Sequence, residues 1–147
     1  MSKVQMLKLI LQLLQEKGHK NSKETDSAKV KLPEVAHIED DIFMRELWCK
    51  SLSKKVILHQ FKSPEAFNKH LEEDKTFLNK VSVVVTDYYF DDSFATGLDV
   101  GRTVKSLQPK IPVLLSSNGD FKHEQLKGFI DRVIPKDSIS DRDLFLN

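Results

Sequence analysis

The chain has 147 residues, enough for one domain with a core of its own. Its 23 basic and 22 acidic residues leave a formal net charge of +1, which gives no general pull toward nucleic acid or an anionic membrane. Cys49 is the single cysteine, which excludes a disulfide framework and a cysteine-based zinc site and fits a reducing, cytoplasmic compartment.

Residues 4–16 bring Val4, Leu7, Ile10, Leu11 and Leu14 to one side at helical spacing, with Met6, Leu9 and Leu13 widening that face and Gly18 as a stop. Lys8 and Gln12 interrupt the apolar run and no small-residue cleavage site follows, so it reads as neither a signal peptide nor a membrane span. Residues 1–18 are therefore expected to form an amphipathic helix. Residues 19–32 are polar and lack periodicity, and read as a linker to a domain at 33–147.

Glu34-Val-Ala-His-Ile38 predicts a first strand that closes on Glu39-Asp40-Asp41. A helix is expected from about Ile42 to Leu52, with Phe43, Leu47 and Trp48 inward and Cys49 half-buried. Val56 to Phe61 is a second strand. Ser63-Pro64 is a cap followed by proline at the first helical position, opening a helix to about Glu73 with Ala66, Phe67 and Leu71 apolar. Val81-Ser-Val-Val-Val-Thr-Asp87 is a β-branched run suited to a strand buried on both faces, and it stops on a carboxylate. Gly97 to Leu107 predicts a helix with Leu98, Val100, Val104 and Leu107 apolar, ended by Pro109. Ile111-Pro-Val-Leu-Leu-Ser-Ser117 is a fourth strand ending on hydroxyls. A shorter helix follows around Glu124 to Phe129, and Arg132-Val-Ile-Pro-Lys136 is a fifth strand ending on a lysine. Residues 137–147 leave length for little more than two helical turns.

Strands alternating with helices predict an α/β domain with a parallel sheet, and right-handed crossovers put every strand's carboxyl end on one edge. That edge collects Glu39, Asp40, Asp41, Asp87, Ser116, Ser117 and Lys136. Converging carboxylates repel one another unless a cation sits among them, and an all-oxygen donor set suits a hard ion, Mg²⁺ by default. A lysine and a hydroxyl facing the same place would bind an anion with several oxygens, phosphate above all. Together these parts describe phosphoryl transfer onto a carboxylate. An Asp at one strand end could equally be a turn cap, and Asp41 stands where an N-cap belongs. What sets Asp87 apart is the company it keeps. Asp91 and Asp92 read as solvated loop acids, and His19, His37, His59, His70 and His123 as incidental.

On these residues the sequence resembles the receiver domains of two-component response regulators (the CheY-like family) over residues 34 to about 137. The resemblance rests on Glu39-Asp40 after the first strand, Asp87 after the third, Ser117 after the fourth and Lys136 after the fifth. Glu39-Asp40-Asp41-Ile-Phe-Met-Arg45 and Pro112-Val-Leu-Leu-Ser-Ser117 are similar to the family's phrases at those places, the second selecting Ser117 over Ser116. It implies a flavodoxin-like, doubly wound, five-stranded parallel sheet, here with an extra N-terminal helix. It also implies a stand-alone receiver that takes a phosphoryl group onto Asp87 from a histidine kinase or phosphotransfer protein and signals by contact with a downstream protein. Mg²⁺ would be held by Glu39, Asp40, Asp87 and the backbone carbonyl of Tyr89, with Lys136 and Ser117 on the phosphoryl oxygens. Beyond phosphorylating itself such a domain is not an enzyme. Neither nucleic acid nor membrane is an expected partner. A homodimer through residues 4–16, or through the last strand and helix, is a further expectation.

The pattern departs from the family at Asp91, where proline is usual, and at Gly97, which implies two inserted residues in 88–96. Val133 stands where an aromatic is frequent, and Asp137 where proline follows the lysine. These departures favour an alternative, a receiver-fold interaction module that is never phosphorylated. A hydrolase of haloacid-dehalogenase type is disfavoured, because Tyr89 occupies the place of its second Asp.

Overall fold

The apolar runs form strands and the amphipathic runs form helices in the computed structural model, which describes residues 31–117, 121 and 123–134. The strands are β1 (Glu34–Ile38), β2 (Ile57–Phe61), β3 (Val81–Thr86), β4 (Val113–Ser116) and β5 (Arg132–Ile134). The helices are α1 (Ile42–Leu52), α2 (Pro64–Glu73), α3 (Phe77–Lys80), α4 (Gly97–Leu107) and α5 (His123–Leu126).

The sheet has the order β2-β1-β3-β4-β5, and every neighbouring pair is parallel. The chain winds outward from β1 to β2, then crosses back to lay β3 on the other side of β1. This is the flavodoxin-like, doubly wound order. The winding reverses between β1 and β3, and a crevice opens there beyond the carboxyl ends of the two strands.

Alternation along the strands sorts the core onto two faces. Ala36, Ile38, Val84, Val113 and Leu115 face a cluster closed by Phe67 and Leu71 of α2, Phe77 and Leu78 of α3, and Val100 and Val104 of α4. Val35, Val83, Val85, Leu114 and Ile134 face the other way, against Trp48 and Leu52 of α1. A register shift between Glu34 and Val35, opposite Val81 and Val83, puts Val81 on the α2–α4 face although Val83 and Val85 lie on the other. Burying each of these side chains stabilises the fold by about 1.5–3 kcal/mol as an upper estimate.

Caps fix where the helices begin. Asp41 Oδ1 accepts the N–H of Phe43 at 2.9 Å, and Ser63 Oγ accepts that of Ala66 at 3.1 Å ahead of Pro64. Thr96 and Asp99 form a reciprocal capping box at the start of α4.

Several expectations are corrected. Phe43 is 73% exposed rather than inward, and Cys49 is exposed rather than half-buried. The face that α1 presents to the sheet runs Met44, Trp48, Leu52, a spacing of four that puts Phe43 and Cys49 off the stripe. Leu107 is also exposed, beyond the last turn of α4 that reaches the core. The loop expected before Val81 contains α3. Asp74 starts it by accepting both the N–H and the hydroxyl of Thr76, and α3 buries Phe77 and Leu78. β2 begins at Ile57 and β4 at Val113, just past Pro112, which has no N–H to offer a ladder. The short helix spans His123–Leu126 rather than Glu124 to Phe129.

The expected helix at 4–16, the linker apart from its last two residues, Lys136 and residues 137–147 lie outside the described residues. Among the described residues no helix is long and apolar enough to cross a membrane.

Candidate functional site

The last rungs of the sheet carry two acids to its carboxyl edge. Ile38 and Thr86 are paired across β1 and β3, so the residues that follow them, Glu39 and Asp87, leave the sheet side by side. The Asp87 N–H donates to the Ile38 carbonyl at 3.0 Å and the Glu39 N–H to the Phe61 carbonyl at 2.9 Å. Glu39 is only 1% exposed and Asp87 9%, while Asp40 is half-buried. One carboxylate oxygen from each of Glu39, Asp40 and Asp87 lies within 4.8 Å of the others.

Each of the three carboxylates accepts a hydrogen bond from a main-chain N–H that holds it in place. Asp87 Oδ1 accepts the Tyr88 N–H at 2.8 Å, Glu39 Oε2 the Asp41 N–H at 3.3 Å, and Asp40 Oδ2 the Asp91 N–H at 2.9 Å. Arg45 adds a positive charge under the turn: Nη1 donates to the carbonyls of Glu39 at 2.8 Å and Asp40 at 3.0 Å. Gln60 then donates to the Arg45 carbonyl at 2.9 Å and to His37 Nδ1 at 3.1 Å. The His37 ring stacks on Trp48 with centroids 4.2 Å apart.

The donor set fits a hard divalent ion. Octahedral Mg²⁺ with bonds of about 2.0–2.1 Å needs ligand oxygens no more than about 4.2 Å apart. The three donor oxygens, all within 4.8 Å of one another, lie close to that span.

The loop from Tyr88 to Thr96 is tied down along its length. Phe90 is buried in the core at 6% exposure, and the Ser93 N–H reaches the Phe90 carbonyl at 3.4 Å. Ser93 Oγ also donates to both carboxylate oxygens of Glu65. Gly97 donates to the Tyr88 carbonyl at 2.8 Å, and a Cβ there would stand 2.2 Å from the Asp87 carbonyl oxygen. Only glycine lets α4 begin against the backbone of the central acid.

Ser117 follows β4, is buried, and its N–H donates to the Ile134 carbonyl at 3.1 Å. Ser116 is buried too, and its Oγ has no hydrogen-bond partner among the described residues. The final pair between β3 and β4 is Thr86–Leu115, and the next residues along the two strands are Asp87 and Ser116. The structure thus unites Glu39, Asp40 and Asp87 and ends the adjacent strand on the two serines. Tyr89 stands on the loop, 68% exposed, with its ring edge-on to that of Tyr88. Asp41 is spent on capping α1 and stays out of the trio.

With this geometry in view, comparison with solved structures is informative. A signal receiver domain of an HD domain-containing protein from Pseudomonas fluorescens Pf-5 superposes with a TM-score of 0.60 at 17% identity, covering 83% of this chain and 88% of its own. The Vibrio cholerae chemotaxis protein CheY4 gives 0.61 at 12% identity, covering 78% and 93%. The chain has the fold of response-regulator receiver domains. Response regulator protein TrrA from Thermotoga maritima, solved in complex with Mg²⁺ and BeF, gives 0.59 at 15% identity and covers 71% of this chain and 87% of its own. No protein-family model and no curated protein sequence matches the chain.

Sequence reasoning misses two parts of this edge: the reach of Arg45 to main-chain carbonyls, and Phe90, whose one signal is an apolar residue ahead of two acids. His59 and His70 serve packing away from the acids, as expected of residues without ligand spacing: His59 pairs with Glu34 at 2.8 Å, and His70 packs on Phe61 and Phe77.

Proposed function

We propose that this chain is a receiver that accepts a phosphoryl group on Asp87 in the presence of Mg²⁺. The observation that carries the reading is the Glu39–Asp40–Asp87 trio at the switch point of the sheet, one oxygen of each within 4.8 Å of the others. Two of the three acids are buried, a costly arrangement that a bound cation would offset. The complex of the TrrA protein with Mg²⁺ and BeF supports the same chemistry, BeF standing for a phosphoryl group.

In this reading an Asp87 carboxylate oxygen attacks the phosphorus of a phosphohistidine on a kinase or phosphotransfer protein. The P–N bond breaks, its electron pair stays on the imidazole nitrogen, and the aspartate becomes an acyl phosphate. Mg²⁺, when bound, neutralises charge on the transferring group. Glu39, Asp40, Asp87 and the Tyr89 carbonyl would hold it. Arg45 and the hydrogen bonds from Asp41, Tyr88 and Asp91 hold the acids in place. The Ser117 hydroxyl and Lys136 would bind the phosphoryl oxygens, and self-phosphorylation is the only reaction.

Partner proteins are the readers of the state. Ile42 and Phe43 at the start of α1 and Tyr89 and Phe94 on the loop after β3 are all exposed, a rim suited to protein contact. The test is incubation of the full chain with acetyl phosphate and Mg²⁺, followed by intact mass. Wild type should gain one phosphoryl group, and Asp87→Asn none. Absence of an adduct on wild type, even with a phosphohistidine donor, would leave the unphosphorylated interaction module as the function.

A further inference from the structure

We propose that the backbone N–H of Asp91 is a positioning group for the metal site, holding the Asp40 carboxylate toward Glu39 and Asp87. The inference rests on the Mg²⁺ reading above and adds a role that the sequence assigned to nothing. The Asp91 side chain is exposed and plays no part in it.

The contact is direct. The Asp91 N–H meets Asp40 Oδ2 at 2.9 Å across 51 residues of chain. It is also a built contact, because the loop is pinned on both sides of the donor. Phe90, immediately before, is buried in the core. Asp92, immediately after, takes a φ of 61°, the left-handed region that a non-glycine residue holds only when its surroundings fix it. Ser93 completes the turn with its N–H on the Phe90 carbonyl and its hydroxyl on Glu65. Proline at 91, which the resemblance leads one to expect, has no N–H to give.

The physical effect is one of position. Fixing one oxygen sets the plane in which the carboxylate meets a metal, and loss of such outer contacts typically weakens metal affinity by 10–100-fold. This contact is exposed, so the low end, about tenfold, is the expectation here.

The experiment compares Mg²⁺ affinity by calorimetry for the full chain, Asp91→Pro, which removes the donor, and Asp91→Ala, which keeps it. The proline variant should bind about tenfold more weakly, with the alanine variant unchanged. Equal affinity in all three overturns the proposal and leaves the metal reading standing, whereas absence of Mg²⁺ binding by wild type sinks both. A second measurement needs no proline variant. The Asp91 amide of the metal-free protein should exchange with solvent about tenfold faster in Asp40→Ala than in wild type, and an unchanged rate overturns the proposal if the proline variant does not fold.

Discussion

Replacing Asp40 by asparagine should make the metal-free protein more stable and remove its response to Mg²⁺. Asparagine keeps an oxygen for the Asp91 N–H and deletes only the charge, so the variant isolates electrostatics from positioning. Two unit charges separated by the 4.8 Å that bounds the trio repel by about 3 kcal/mol at an effective dielectric of about 20. Asp40 takes part in two such pairs. Solvent screening at this half-buried position, with Arg45 close by, reduces the relief to about 1–3 kcal/mol. For a chain of this size that raises the melting temperature by about 3–10 °C. The assay is thermal melting in a chelator and again with millimolar Mg²⁺. Wild type should start lower and gain with Mg²⁺, by about 2.7 kcal/mol where the ion is at one hundred times its Kd. The variant should start higher and not move. An Asp40→Asn protein that melts at or below wild type in chelator refutes the stored repulsion, and a wild type indifferent to Mg²⁺ refutes the metal.

Three other perturbations have clear expected outcomes. Gly97→Ala places a methyl carbon 2.2 Å from the Asp87 carbonyl oxygen, so either α4 or the acceptor's backbone must shift. A loss of about 1–3 kcal/mol in urea unfolding, with slower phosphorylation, is expected, and wild-type values for both would show that the close approach is dispensable. Ser116→Ala removes a buried hydroxyl that has no partner among the described residues, so chemical denaturation should find it neutral or about 1 kcal/mol more stable, and a destabilised variant would reveal a bond to another part of the chain. Asp74 has its carboxyl held below the ordinary value of 3.8, first by the Thr76 hydroxyl and then by the Thr76 N–H. Its folded pKa is depressed, so its contribution to stability is complete above that ordinary value and is lost as pH falls through the lower folded one. Asp74→Asn should therefore flatten the acid limb of a melting-temperature profile, and an unchanged limb would count against the cap.

The order of elements, apart from the single turn of α3, was legible in the sequence because each is written locally. The β-branched run at Val81–Thr86 and the Ser63-Pro64 start act through neighbours a few residues away. The acidic site was legible for the same reason: an apolar strand that stops on a carboxylate exposes it at the edge, and parallel winding sends all such ends to one side. Tertiary structure alone decided what the site is made of in detail. Phe43 and Cys49 are off the stripe of α1 because the sheet fixes the rotation of that helix, which amphipathic spacing alone left open. Arg45 contributes by reaching main-chain carbonyls, and Asp91 by its own main-chain N–H, and a backbone group has no letter in the sequence. Asp41 was legible as a cap from its place before Ile42, but only the path of the chain after Ile38 sets an Asp40 oxygen within 4.8 Å of those of Glu39 and Asp87.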